Sequence, residues 1–432
     1  MYYDAVSRSR RRFRLMSFEE RYERVLALAG ALEKHREEVV DCAVRDLQFT
    51  VKDSTREVDT TIDRLRMYAD AVFLRDRLPL RPGARVNLML SYNGSAWLNT
   101  AITSIYIVGN RLTVKFSSKG RRIMALTKDL YRPIFGDAVA FYGGTGKSLL
   151  EDSLADPEVT AAVAFGFDEN ILPYEEAFRA AGKKLVFEGP GQDPFIVFAD
   201  ANLDWALDDL MASKFMYSGQ TCTAPKRIFI QASIYQEFLE RFVERVRRLV
   251  VGDPADRKTD IGPVASTVAV QRLQEQMADA LEKGAKVLVG GRIEGNLVYP
   301  TVVKDCADNM LGMREEVFAP VAFTSCFETA GEVLARAKNH KYGLRAAVYG
   351  GSEAAGVAKE LLGCDYCHPV PAYTFGKFGT VAYNQRRAES WRGAFVTLPV
   401  GGYGYSGWIW ETVGGRLQIK QGPKLLSTET SQ

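Results

Sequence analysis

Histidine is scarce in this chain: three in 432 residues, at His35, His340 and His368. A metal centre built on imidazole has little to draw on, and each of the three reads as a surface residue. Six cysteines scattered over this length form no disulfide framework, which fits a reducing, cytoplasmic setting. No apolar run approaches the roughly 18 residues that a membrane span needs, and the N-terminus shows no signal-peptide h-region. No charge sign dominates either: 56 basic residues face 53 acidic ones, a net +3. That balance gives nucleic acid no electrostatic footprint. One basic cluster stands out, Arg8-Ser-Arg-Arg-Arg-Phe-Arg14, and it reads as a solvated approach to the first helix.

What is present is a soluble globular composition, 47% hydrophobic and 25% charged, in a chain too long for one ordinary core. Residues 17 to 78 carry helical spacing: Phe18, Tyr22, Val25, Leu26, Leu28 and Leu32 recur at steps of three and four. Leu78-Pro-Leu-Arg-Pro-Gly83 breaks that pattern. From Val86 a β/α alternation begins, with strands expected at 86–90, 112–116, 138–142, 161–165 and 184–187. Helices are expected at 97–108 and 121–131. Short strands alternating with longer helices predict a mostly parallel sheet covered on both faces, with ligands at the carboxyl ends of its strands. Lys115, Gly143, Gly166 and Glu188 fall at or near such ends. A second α/β unit starts near Pro194, with strands expected at 194–198, 227–231, 286–289 and 344–349. The chain turns glycine-rich from Leu398 and closes in a β-prone tail, Arg416 to Lys420.

The chemistry gathers around Tyr217-Ser-Gly-Gln-Thr-Cys-Thr-Ala-Pro-Lys-Arg227. Cys222 lies among Gly, Thr and Ser, on a tight connection between a helical run and a β-rich run. Inert core cysteines sit among Val, Ile and Leu. Here backbone N–H groups can be aimed at a reacting oxygen, and a substrate can reach the sulfur. Two other patterns fail. Cys364-Asp-Tyr-Cys-His368 spells a c-type haem attachment but lacks the export signal it would need. Gly143-Gly-Thr-Gly-Lys-Ser148 lacks the first glycine of a phosphate loop.

An ordered set of motifs resembles the aldehyde dehydrogenase superfamily from about residue 17 to 424. It comprises Asn93, Lys115, the Phe165-Gly turn, Glu188 with Gly189 and Gly191, Phe195 to Asp200, Ser218 to Cys222, Arg314 to Pro320, and Leu398 to Tyr403 with Ser406-Gly407. The resemblance implies two open-sheet α/β domains, a Rossmann-like cofactor domain and a catalytic domain, plus a small β oligomerisation element. The corresponding boundaries are 1–189, 190–396 and 397–432. It also implies NAD(P)-dependent oxidation of an aldehyde to a carboxylic acid. Cys222 would be the nucleophile, the Asn93 amide and the Cys222 N–H the oxyanion donors, and Glu188 the base for water. Glu188, at a strand end facing an apolar site, should titrate well above its ordinary range. Lys115 resembles the lysine that reaches the adenosine ribose, Glu316 the carboxylate that holds the nicotinamide ribose, and Phe318 the ring beside it.

Departures from the family pattern sharpen the expectations. Ser118 stands where NAD-using members often carry a glutamate, and Lys119, Arg121 and Arg122 are near, which favours NADP over NAD. Ser91-Tyr92-Asn93 replaces Pro-Trp-Asn, and Ala319 replaces a glycine. After Phe165 the chain reads Gly166-Phe167-Asp168-Glu169-Asn170, so two carboxylates stand where the family receives a pyrophosphate, and these would repel it. The chain has only Asp76 to Arg85 where the family has a longer hairpin, which favours a homodimer over a tetramer. Two other readings follow: an acylating enzyme that passes the thioester to coenzyme A, and a binding or assembly protein that has lost dinucleotide use. Neither nucleic acid nor a membrane is an expected partner.

Overall fold

The computed structural model describes residues 16–66, 85–107, 109–340, 344–361 and 380–384, with the backbone of the strands at 409–413, 416–420 and 424–427. The Arg8–Arg14 cluster, the Cys364–His368 pattern, most of the 76–85 connection and the glycine-rich 398–407 stretch lie outside the described residues.

Three helices open the described chain: Phe18–Lys34, Arg36–Leu47 and Val51–Arg66. Ser17 and Glu20 form a reciprocal capping box that starts the first. Gln48, left-handed at φ 59°, ends the second. The third buries Val58, Ile62 and Leu65 as its sequence spacing requires, and it also buries Asp53 and Glu57.

These helices share one core with a parallel sheet. Its strands are β1 (Arg85–Met89), β2 (Arg111–Lys115), β3 (Val139–Phe141), β4 (Val159–Phe165) and β5 (Lys184–Glu188), in the order β3-β2-β1-β4-β5. The order reverses between β1 and β4, which opens a crevice at their carboxyl ends. Helix Leu98–Ile107, between β1 and β2, is buried on every side. That fits a sequence with no charged residue, in which Asn99, Thr103 and Ser104 turn their polar groups onto nearby backbone carbonyls.

The second sheet holds β6 (Pro194–Val197), β7 (Arg227–Gln231), β8 (Lys286–Val289), β11 (Thr301–Lys304), β12 (Val321–Phe327), β13 (Arg345–Tyr349), β14 (Thr380–Tyr383) and β17 (Lys424–Ser427). Its order is β17-β14-β13-β6-β7-β12-β11-β8, parallel except where β8 runs against β11. A small hairpin, β9 (Ile293–Glu294) with β10 (Leu297–Val298), lies outside it, as does the antiparallel pair β15 (Ile409–Val413) with β16 (Arg416–Lys420). The β-prone tail read from the sequence is thus a paired strand. Gly143 to Ser148 is more than a strand-end turn: Thr145 and Ser148 cap the helix Gly146–Ala155. No helix among the described residues is long and apolar enough to cross a membrane.

Candidate active site

The carboxyl ends of β1, β2, β4 and β5 converge with the Cys222 loop of the second sheet. They border one cavity of about 400 Å³. Asn93, Lys115, Ser118, Phe165, Gly166, Glu188, Cys222, Glu316 and Phe318 all line it. Residues spread over more than half the chain are therefore brought to one place.

The loop that presents Cys222 is held under backbone strain. Tyr217 (φ 51°, ψ 35°) and Ser218 (φ 53°, ψ 38°) both adopt left-handed conformations that side chains other than glycine rarely take. Neighbouring hydrogen bonds hold them there. Tyr217 N–H donates to Asp53 Oδ2 (2.8 Å), and Ser218 Oγ accepts from Gly262 N–H (3.0 Å). Gln220 Nε2 donates to the Tyr217 carbonyl (3.0 Å), while its Oε1 accepts from Ala265 N–H (2.8 Å). Gly219 continues the turn at φ 74°, where a Cβ would stand 2.2 Å from the Ala319 carbonyl oxygen. Gly191 is required for a related reason: a Cβ there would come within 2.1 Å of the Cys222 carbonyl oxygen.

Cys222 is a free, partly exposed thiol. Burial, then the nearby Glu316, pushes its pKa up to about 12, against the opposing pull of Lys226. The resting group is therefore a thiol whose proton must be removed for it to attack. Glu188 is 5% exposed, and its Oε1 has no hydrogen-bond partner. Burial raises its pKa well above the ordinary carboxylate range, as the sequence predicts. A buried carboxyl with an unpaired Oε1 at the end of β5 is a group able to exchange a proton at that edge of the cavity.

Asn93 is buried after β1. The Ser91 hydroxyl donates to Asn93 Oδ1, which leaves the amide N–H groups as donors. Its loop is held by Glu57, whose carboxylate accepts from Ser95 N–H (2.8 Å), Ser95 Oγ (2.6 Å) and Trp97 N–H (3.0 Å). Asp53 and Glu57 lie one turn apart on helix Val51–Arg66. One helix thus ties both the thiol loop and the amide loop, and sequence reading singled out neither carboxylate. The available signal was two acids on the apolar face of an otherwise ordinary amphipathic helix.

Two lysines beneath the thiol were also missed. Lys226 is fully buried and its Nζ donates to the Thr221 carbonyl (2.6 Å). Lys214 is fully buried, and its Nζ has no hydrogen-bond partner among the described residues. Burial, with repulsion from Lys226 second, lowers the Lys214 pKa far below its ordinary value. Glu316 accepts from Gly191 N–H at Oε1 (3.1 Å), which ties the cofactor-side carboxylate to the segment packed on Cys222.

On the cofactor side, Tyr92 meets Phe318 edge-on at 6.0 Å, and Trp97 meets Phe165 at 5.5 Å. The turn after Phe165 becomes a single helical turn, Asp168–Ile171. Its charge is partly answered by Arg272, which lies 4.7 Å over the Phe167 ring and pairs with Glu169 at 3.1 Å. Of the cations expected near Ser118, Lys119 donates to the Ala265 carbonyl (2.9 Å) and Arg122 pairs with Asp46 (2.9 Å). Those two are committed elsewhere. His340 departs from its surface reading: it is buried, and burial lowers its pKa to about 2. Among the described residues no group of three or more histidine, cysteine or acidic side chains could hold a metal ion.

The aldehyde dehydrogenase family model matches residues 2–415, and the chain belongs to that family. Among its relatives, the succinate-semialdehyde dehydrogenase (NADP+) of Escherichia coli is 40% identical over 170 residues. That match covers 39% of this chain and only 35% of the enzyme's own length. The lactaldehyde dehydrogenase of Methanococcus aeolicus is 27% identical over 351 residues, 76% of this chain and 74% of that one. The solved betaine aldehyde dehydrogenase of Staphylococcus aureus, in complex with NAD+, superposes with a TM-score of 0.75 at 25% identity. It covers 90% of this chain and 78% of its own.

Proposed function

We propose that the chain is an NAD(P)-dependent aldehyde dehydrogenase working through a thioester on Cys222. The observation that carries this reading is the convergence on one cavity of a loop-borne thiol, a fixed amide and a buried, unpaired carboxyl. Cys222, once deprotonated, forms a bond from Sγ to the carbonyl carbon. The Asn93 amide and the Cys222 N–H donate to the oxygen that gains the electron pair. The cofactor, when bound, supplies the acceptor for the hydride that leaves the former carbonyl carbon. Glu188 Oε1, deprotonated, takes a proton from the water whose oxygen attacks the thioester. Breaking the C–S bond then releases the acid and restores the cysteine.

The cavity suits a dinucleotide on its own geometry. Gly146 lets helix Gly146–Ala155 approach β1, since a Cβ there would lie 2.5 Å from Met89 Sδ. Lys115, Ser118, Glu316 and Phe318, which all border the cavity, would hold it. Both cofactor forms occur among the relatives: NADP+ names the E. coli enzyme, and NAD+ occupies the S. aureus one. Ser118, in place of a repelling carboxylate, supports NADP. The Arg272–Glu169 pair weakens the charge argument for a protein that has lost dinucleotide use. The four free cysteines among the described residues support a reducing compartment. A homodimer built on the β15–β16 element is a reading that molar mass in solution checks.

The test is a panel of aldehydes with NAD and NADP, read by absorbance of the reduced cofactor, with Cys222→Ser alongside. Turnover by the wild type and a loss of at least about a thousandfold in the variant is the expected result. Cofactor reduction by Cys222→Ser at the wild-type rate would end the thioester reading.

A further inference from the structure

Lys226 directly precedes β7, where a lysine would ordinarily extend into solvent, yet it is fully buried. A buried ammonium is costly unless it is paired and hydrogen-bonded. The groups that face it are Glu316, Asp193 and Cys222, with Lys214 as a second buried cation. It also lies 5.7 Å from the centre of the Phe318 ring. Its Nζ donates to the carbonyl of Thr221, at 2.6 Å, rather than to either carboxylate.

That carbonyl belongs to the peptide unit whose other end is the N–H of Cys222. Donating a proton to one end of a peptide group draws electron density along it, and the opposite N–H becomes a better donor. Resting on the thioester reading above, we propose that Lys226 is a positioning residue which polarises the Thr221–Cys222 peptide toward the developing oxyanion and keeps positive charge beside the sulfur. The buried lysine thereby acts on the nucleophile and on its oxyanion donor through one contact. The other titratable groups facing Cys222 are Glu316, Asp193 and Glu188, all acidic, so Lys226 is the cation that opposes them.

The test compares wild type, Lys226→Met and Lys226→Arg in three measurements: kcat and KM, the melting temperature, and the rate of Cys222 alkylation by iodoacetamide at a fixed, mildly alkaline pH. Lys226→Met is expected to lower kcat about tenfold with KM for aldehyde nearly unchanged. It should also slow alkylation about tenfold, because loss of the cation lowers the thiolate fraction. Lys226→Arg, which keeps charge and donor, should hold the alkylation rate near the wild-type value. A methionine variant that melts lower but keeps both kcat per alkylatable thiol and the alkylation rate assigns Lys226 to packing and overturns the proposal. Should the wild type oxidise no aldehyde, the dehydrogenase reading fails and the alkylation rate alone decides: a slowing upholds the action on Cys222, and no change overturns it.

Discussion

The loop from Tyr217 to Lys226 and the turn from Phe165 to Asn170 both border the cavity, and they are built differently. The first is tied to helix Val51–Arg66 through Asp53, to Gly262 and Ala265 through Ser218 and Gln220, and to the Asp193 carbonyl through Lys226 N–H. Its strained residues are almost wholly buried. The second is held by Gly166 N–H on the Glu188 carbonyl (3.1 Å), by ring contacts and by an exposed ion pair. Where a bond must form at a fixed angle, the chain accepts strain and secures it with buried hydrogen bonds. Where the charged cofactor of the proposed reaction would enter and leave, it relies on surface electrostatics, which salt and ligand can rearrange.

The largest expected effect comes from cutting one of those buried ties. Glu57→Ala strips the acceptor from Ser95 N–H, Ser95 Oγ and Trp97 N–H at once. A loss of about 3 kcal/mol in stability should follow, read by denaturant unfolding, with kcat/KM falling at least tenfold as Asn93 moves. A variant with wild-type stability and activity would show that the amide loop needs no such anchor.

Next in size is the cofactor side. Replacing Asp168 and Glu169 together by Asn and Gln should tighten NADP binding by about fivefold at low ionic strength, an advantage that fades as salt rises. Alkylation of Cys222 should be unchanged. If the double variant bound no tighter, Arg272 would already cancel these charges completely.

The smallest effect concerns Glu188. Its carboxyl is raised in the folded protein, so the folded state binds that proton more tightly than the unfolded chain does. The stability linked to it is complete below the unfolded value of about 4.3 and is lost as pH rises toward the folded one. Glu188→Gln escapes this loss. It should match the wild type near pH 4 and melt about 2 °C higher at pH 8. A difference that shrinks with rising pH would contradict the upward shift of the buried carboxyl.

Much of this site was legible in the sequence because its residues mark strand ends. Lys115, Phe165 and Glu188 each close a short apolar run, and Cys222 stands between runs of different period. The partners were not legible. Asp53 meets Tyr217 across 164 positions and Glu57 meets Ser95 across 38, and no local spacing encodes either contact. Lys226 beside Arg227 looks like a charged strand entry, whereas both side chains are buried on backbone carbonyls. β12 was passed over for a different reason: Thr324-Ser325-Cys326 interrupts the apolar run from Val321 to Phe327, although Thr324 and Ser325 are buried.

Hanging both reacting loops from helix Val51–Arg66 also governs how the site moves. A rocking of that helix carries thiol and amide in the same direction, so their separation varies less than the position of either. Substitutions on the helix's outer face, or breathing of the N-terminal helices, would then displace the pair as a unit. Thermal motion would be spent on where the reacting centre sits, and little of it on whether nucleophile and donor still fit the same carbonyl.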